Sequence, residues 1–194
     1  MARDRASRPE AKALRLFVAF DVPADVRAGL AEAVEPLRGA LGGRWTRPEN
    51  WHVTVKFLGA TWPRLLDWVI EACGTVAPAH SPFSSALDGG IGAFPNTRRA
   101  RVLWAGLADP EGRADALARA LDEALSREFA PGKRAFRPHL TVARFQPPAV
   151  VEEALGGVEV TSRPFDVDRL VLYRSHLGRP GPRYEPLREF PLGD

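Results

Sequence analysis

The sequence predicts a mixed α and β chain in which one strand–helix–strand unit is used twice, with a cleft between the copies. Three observations predict it. The run RLFVAFDVP at 15–23 matches RVLWAGLADP at 101–110, and a helical pattern follows each. Each copy then reaches a His-x-Thr-Val tetrapeptide, HVTV from His52 and HLTV from His139, which lie 37 residues after Arg15 and 38 after Arg101. An Arg-Pro pair closely precedes each histidine, at Arg47-Pro48 and Arg137-Pro138. Two copies of one unit tend to pack about a pseudo-twofold axis. That packing brings His52 and Thr54 opposite His139 and Thr141.

The elements follow in order. Arg15–Val22 is rich in strand formers. Pro23 opens a helix to about Leu41, with Val26, Leu30, Val34 and Leu37 at helical spacing and Pro36 as an early stop or kink. A strand is expected over His52–Leu58. Thr61 is placed to cap a second helix with Leu65, Leu66, Val69 and Ile70 on its apolar side. Residues 83–100 read as strand and loop, with the glycines of GGIGAF at 89–94 marking a turn. Arg101–Leu107 is another strand. Asp109-Pro110-Glu111 reads as an N-capped start for a helix to about Phe129, with Leu117, Leu121 and Leu125 as its stripe. Ala135–Phe145 closes the second unit as a strand.

Composition bounds the rest. The 194 residues suit one domain or two small lobes, and 45% hydrophobic residues suffice for a core. No apolar run reaches membrane-spanning length. The charged opening MARDRASRPEAKALRLF lacks the apolar stretch of a secretory signal, so residues 1–12 are expected as a disordered leader and 13–194 as a single bilobal domain. The lone cysteine, Cys73, can form neither an internal disulfide nor a cysteine metal cluster and fits a cytoplasmic setting. The net charge of +3 is carried mostly by arginine, since lysine occurs only at 12, 56 and 133. A solvated basic surface and a phosphate-bearing partner both fit that balance.

Strand alternation puts His52, Thr54 and Lys56 on one face and Val53, Val55 and Phe57 on the other. Two facing imidazoles can supply a general base and a general acid in one turnover. The threonine hydroxyls suit the non-bridging oxygens of a phosphate. Lys56, Arg144, Arg47 and Arg137 could add positive charge there. Alternation favours Lys56 and turns Arg144, five residues after His139, to the other face. Phe57 and Phe145 read as equivalent positions, either able to stack on a base, with Phe57 better suited to the core. Trp51 should point away from the cleft. His80 reads as a helix-end residue, while His176, Arg174, Arg179 and Arg183 lie in a turn that could reach substrate.

Other chemistries find little purchase. No HExxH or His-x-His pattern supplies the ligands of a catalytic zinc, which leaves at most a weak two-histidine site. No GxSxG elbow and no GxxxxGK[ST] loop occurs.

The paired HVTVKFLG and HLTVARF segments resemble the two motifs of the two-histidine phosphoesterase superfamily, and most nearly its RNA 2′,3′-cyclic phosphodiesterases, also called 2′-5′ RNA ligases. The resemblance runs from Arg15 through FRPHLTVARF to the closing YRSHLGRPGPRYEPL at 173–187. It implies an α+β fold of two pseudo-symmetric lobes, each an antiparallel β-sheet backed by helices, with the active-site cleft between them. It implies metal-independent hydrolysis of RNA or nucleotide 2′,3′-cyclic phosphate ends to 2′-phosphomonoesters, with no cofactor. It makes His52 the proton donor, His139 the proton acceptor, and Thr54 and Thr141 the phosphate-binding pair. The residues alone leave the two histidines interchangeable. They also leave open the reverse ligation, a small cyclic phosphate as substrate, and a binding module without turnover. Because the two lobes complete the cleft, a monomer without membrane association is the expected state.

Overall fold

The computed structural model describes residues 12–179 and 181–193. Of the expected leader, only Lys12 falls within them. The strands are β1 (Leu14–Asp21), β2 (Arg44–Trp45), β3 (His52–Thr61), β4 (Phe83–Ser85), β5 (Leu87–Phe94), β6 (Ala100–Leu107), β7 (His139–Ala149), β8 (Val160–Thr161), β9 (Phe165–Val167), β10 (Arg169–His176) and β11 (Arg183–Pro191). The helices are α1 (Ala24–Ala40), α2 (Leu66–Val76) and α3 (Arg113–Ala124).

One antiparallel sheet runs β11-β10-β1-β3-β7-β6-β5-β8, with β2 paired to β7, and β4 and β9 form a separate two-stranded sheet. The long sheet consists of two halves. They meet where β3 runs beside β7, through the single registered pair Val53 and Leu140. Leu16, Val18 and Phe20 of β1 face the helices and join a core with Val26, Leu30, Val34 and Leu37 of α1 and Leu117 and Leu121 of α3. The helices therefore cover one face of the sheet, and the histidine motifs stand on the other. No helix among the described residues is long and apolar enough to cross a membrane. Cys73 is buried in α2, which pushes its thiol up to about 12.

Four local expectations are corrected. Pro36 neither ends nor shortens α1, which continues to Ala40. Burial of Val34 and Leu37 on either side of it offsets the lost hydrogen bond. Thr61 does not cap α2. It is buried as the last residue of β3, paired with Leu14, its hydroxyl donating to Gly59 O at 3.3 Å. A short 3₁₀ turn at Pro63–Leu65 precedes the helix instead. Helix α3 spans Arg113–Ala124 rather than 109 to 129. Asp109 still serves its N-terminus from outside, its carboxylate accepting the Ala114 and Asp115 amides at 3.0 Å each. Finally, GGIGAF lies inside β5 and is not a turn. The glycines mark an irregular strand: Gly89 has φ +84°, and a Cβ at Gly92 would run into the Trp104 ring.

Candidate active site

Both motif strands depart from simple alternation, and in the same way. Val18 pairs with Lys56, and Ala19 pairs with Thr54, so Val55 is an extra residue in β3. Leu103 pairs with Ala143, and Trp104 with Thr141, so Val142 is the matching extra residue in β7. Each bulge re-aims the side chains that follow it. The first seven residues of both strands consequently share one burial pattern, with the sixth exposed.

This overturns the face assignment of three residues. Lys56 leaves the face of His52 and Thr54. It is buried, ion-paired with Asp122 of α3, and donates to Ala130 O at 2.9 Å. Arg144 takes the opposite course, since the bulge returns it to the face of His139 and Thr141, exposed. Phe57 is likewise on the cleft face and 52% exposed rather than in the core, with the Arg15 guanidinium 4.7 Å from its ring centre. The true counterpart of Phe57 in the repeat is Arg144. Phe145 matches Leu58, and both are buried. Arg47 and Arg137 are exposed on the segments that lead into the two histidines, and Trp51 is buried.

The histidines are held alike. His52 Nδ1 donates to Asn50 O at 2.8 Å, and His139 Nδ1 donates to Arg137 O at 2.7 Å. A carbonyl can only accept, so each Nδ1 carries hydrogen and each Nε2 is left for chemistry. His52 Nε2 lies 3.1 Å from Thr54 Oγ1. The antiparallel pair Val53 and Leu140 sets His52 next to Thr141 across the seam and Thr54 next to His139. Asn50 is itself fixed by its side-chain amide, which donates to Pro182 O at 3.0 Å.

Two aromatic beds support the imidazoles. Phe17 of β1 stacks under His52 with centroids 4.6 Å apart, and Tyr184 of β11 meets its edge at 5.0 Å. Phe94 of β5 meets His139 edge-on at 5.3 Å, with Trp104 at 6.4 Å. Asp21 of β1 pairs directly with His52, and the Tyr173 hydroxyl donates to both Asp21 oxygens at 2.8 and 2.9 Å. The position equivalent to Asp21 in the second half is Gly106, the strand partner of His139. There the Asp88 carboxylate fills the space a side chain would take, 2.7 Å from an ideal Cβ.

Electrostatically the two histidines agree in direction. Burial lowers His52 to about 4, against the opposing pull of the Asn50 carbonyl and Asp21, and His139 and Arg144 lower it further. Burial also lowers His139, with Arg144 adding to the effect and the Arg137 carbonyl opposing it. Both rings are therefore neutral in the resting protein at pH 7. Tyr184 is raised by burial and partly restored by Arg144 and Arg15, so both guanidiniums border the same site.

Sequence reasoning missed Phe17, Asp21, Phe94, Tyr173 and Tyr184. The alternation of β1 after Leu16 was a usable signal for Phe17 and Asp21. Nothing local could place the two tyrosines, which arrive from strands more than a hundred residues away. His176 is held by Glu185, with Nε2 to Oε2 at 2.5 Å, and His80 sits at the end of a short 3₁₀ turn. Among the described residues no group of three or more His, Cys, Asp or Glu is placed to hold a metal ion.

The chain matches the model of the LigT-like phosphoesterases over residues 20–104 and 107–184. The RNA 2′,3′-cyclic phosphodiesterase of Archaeoglobus fulgidus is 34% identical over 186 residues, covering 91% of this chain and 99% of that protein. The RNA 2′,3′-cyclic phosphodiesterase of Geobacillus stearothermophilus is 33% identical over 185 residues, 91% of this chain but only 56% of that longer relative. Among solved structures, TT0787 of Thermus thermophilus superposes with a TM-score of 0.80 at 30% identity, covering 93% of this chain and 100% of that one.

Proposed function

The chain belongs to the LigT-like phosphoesterase family, and from that membership we propose that it hydrolyses RNA or nucleotide 2′,3′-cyclic phosphate ends to 2′-phosphomonoesters. The relatives' names support the substrate class. The mechanism is metal-independent acid/base catalysis by His52 and His139, carried out by a monomer in the cytoplasm. One observation carries it: both imidazoles are pinned by Nδ1 to a carbonyl two residues back, leaving both Nε2 atoms for chemistry, with that of His52 3.1 Å from the Thr54 hydroxyl.

In the forward direction His139 Nε2 takes a proton from the attacking water. The water oxygen bonds to phosphorus as the bond to the 3′ oxygen breaks, and His52 Nε2–H protonates that oxygen. The products are a 2′-phosphomonoester and a free 3′ hydroxyl. Thr54 and Thr141 hold non-bridging oxygens, and Arg144 offsets the charge that builds on them. His52 must be charged to act as acid. The phosphate anion raises its affinity for the proton on binding, and Asp21, the strand partner of His52, favours the same charged form. General acid and base together supply roughly 10²–10⁴ each, and a strained cyclic phosphate asks little more.

The test is turnover of a 2′,3′-cyclic nucleotide and of a short RNA with that terminus, in EDTA, with 2′ and 3′ products resolved. Wild type is expected to give the 2′ product, and His52→Ala and His139→Ala each to lose about 10² or more. Combining them should add little, because the two act as a unit. Absence of wild-type turnover, or turnover that survives both substitutions, overturns the reading.

A further inference from the structure

Strand β2 is only two residues long, yet it is set with care. Gly43 adopts φ +99°, and a Cβ there would lie 2.6 Å from the Phe145 ring and 3.0 Å from Arg144 O. Glycine thus lets the chain close onto β7, where Arg44 pairs with Arg144 and Trp45 with Ala143. The Thr46 amide donates to Val142 O at 2.8 Å, and the Trp45 indole donates to Leu41 O at 3.4 Å under the Arg38 guanidinium. Arg44 is held in a defined place.

That place is electrostatically odd. Arg44 and Arg144 are direct cross-strand partners, both exposed, an arrangement of like charges that costs stability. Several exposed arginines have an acidic neighbour, Arg98 with Glu152, Arg119 with Asp115, Arg163 with Asp25 and Arg169 with Glu189, but such pairs are the minority here. Among the described residues Arg44 and Arg144 have no ion-pair partner. The place of Arg144 is taken in the first half by exposed Phe57, with the Arg15 guanidinium over its ring.

We propose that Arg44 and Arg144 form a second phosphate subsite, beside the acid/base centre, for the phosphodiester on the 5′ side of the terminal nucleotide. This rests on the cyclic-phosphate reading above and narrows its substrate to RNA ends over free nucleotides. Arg144 reaches the centre, since its charge is felt by both imidazoles. Arg44 lies on the edge of β7 that β3 shares, beyond the end of β3, and extends that charge away from the acid/base centre. Paired guanidiniums suit a phosphodiester because each offers a fixed fork of donors.

The experiment compares kcat/KM for a 2′,3′-cyclic mononucleotide with that for a trinucleotide of the same terminal base, in wild type, Arg44→Gln and Arg44→Lys, across a salt series. The expected result is that wild type prefers the trinucleotide and that Arg44→Gln reduces this preference about tenfold. Its salt slope on the trinucleotide falls by about one, and Arg44→Lys restores part of both. An equal loss on the two substrates, or an unchanged preference, overturns the proposal. If wild type turns over neither substrate, the cyclic-phosphate reading fails by itself. Binding of a labelled trinucleotide ending in a 2′-phosphate then decides the subsite: a salt slope that Arg44→Gln does not alter rejects it.

Discussion

Lys56 of the first motif strand is ion-paired with Asp122 of α3, a helix of the second repeat. Asp122 in turn accepts the Gly132 amide at 2.7 Å, and Lys56 also donates to Ala130 O. The strand of His52 is thereby tied to the start of the segment that ends in Arg137, whose carbonyl holds His139. Replacing Lys56 by Met strands a partly buried carboxylate. The expected cost is about 3 kcal/mol, measured by urea unfolding, and the Lys56→Met, Asp122→Leu double variant should recover much of it. A single variant as stable as wild type would show that the pair holds nothing together.

Arg144 should contribute to the pH dependence. Burial is the larger reason that both histidines are lowered, and the Arg144 charge adds to it. The kcat/KM profile should therefore be bell-shaped with its optimum on the acid side of neutrality. Removing a neighbouring positive charge favours the imidazolium, so Arg144→Gln should move both limbs to higher pH. The same variant should lose about 10²-fold or more in kcat if the guanidinium meets the phosphate. Limbs that stay in place would separate Arg144 from the two rings.

Gly92 makes room for the Trp104 indole, which lies beside Thr141 in the ladder and under His139. Gly92→Ala forces the ring aside, at about 1–3 kcal/mol of stability. Turnover should fall further than stability explains, with a shift in tryptophan fluorescence as the direct readout. Unaltered fluorescence with normal turnover would show that the indole does not depend on this glycine.

Much of the molecule was legible in the chain. The buried stripe of α1, Val26, Leu30, Val34 and Leu37, matches its apolar spacing residue for residue. The doubled His-x-Thr-Val located both histidines, because a repeat carries its chemistry to equivalent places. The element ends were less legible. Asp109 caps α3 from four residues before its first turn, and Thr61 was claimed by the ladder with β1. Thr61 was taken by a partner 47 residues away, Leu14, whereas Asp109 kept its capping role from a loop, reaching amides five and six residues on.

By itself the sequence determined the two units, the apolar stripes of α1 and α3, and the pairing of His52 with Thr54 and His139 with Thr141, since all depend on spacing within a strand or helix. Only the tertiary structure decided what surrounds them. The bulges at Val55 and Val142 are mismatches between a strand and its neighbour, invisible in either strand alone, and they exchange the fates of Lys56 and Arg144. Tyr173 and Tyr184 reach His52 because β10 and β11 join the sheet beside β1. A side chain's face follows from alternation only while the register with the neighbouring strand is unbroken, and here it breaks in both strands that carry the histidines.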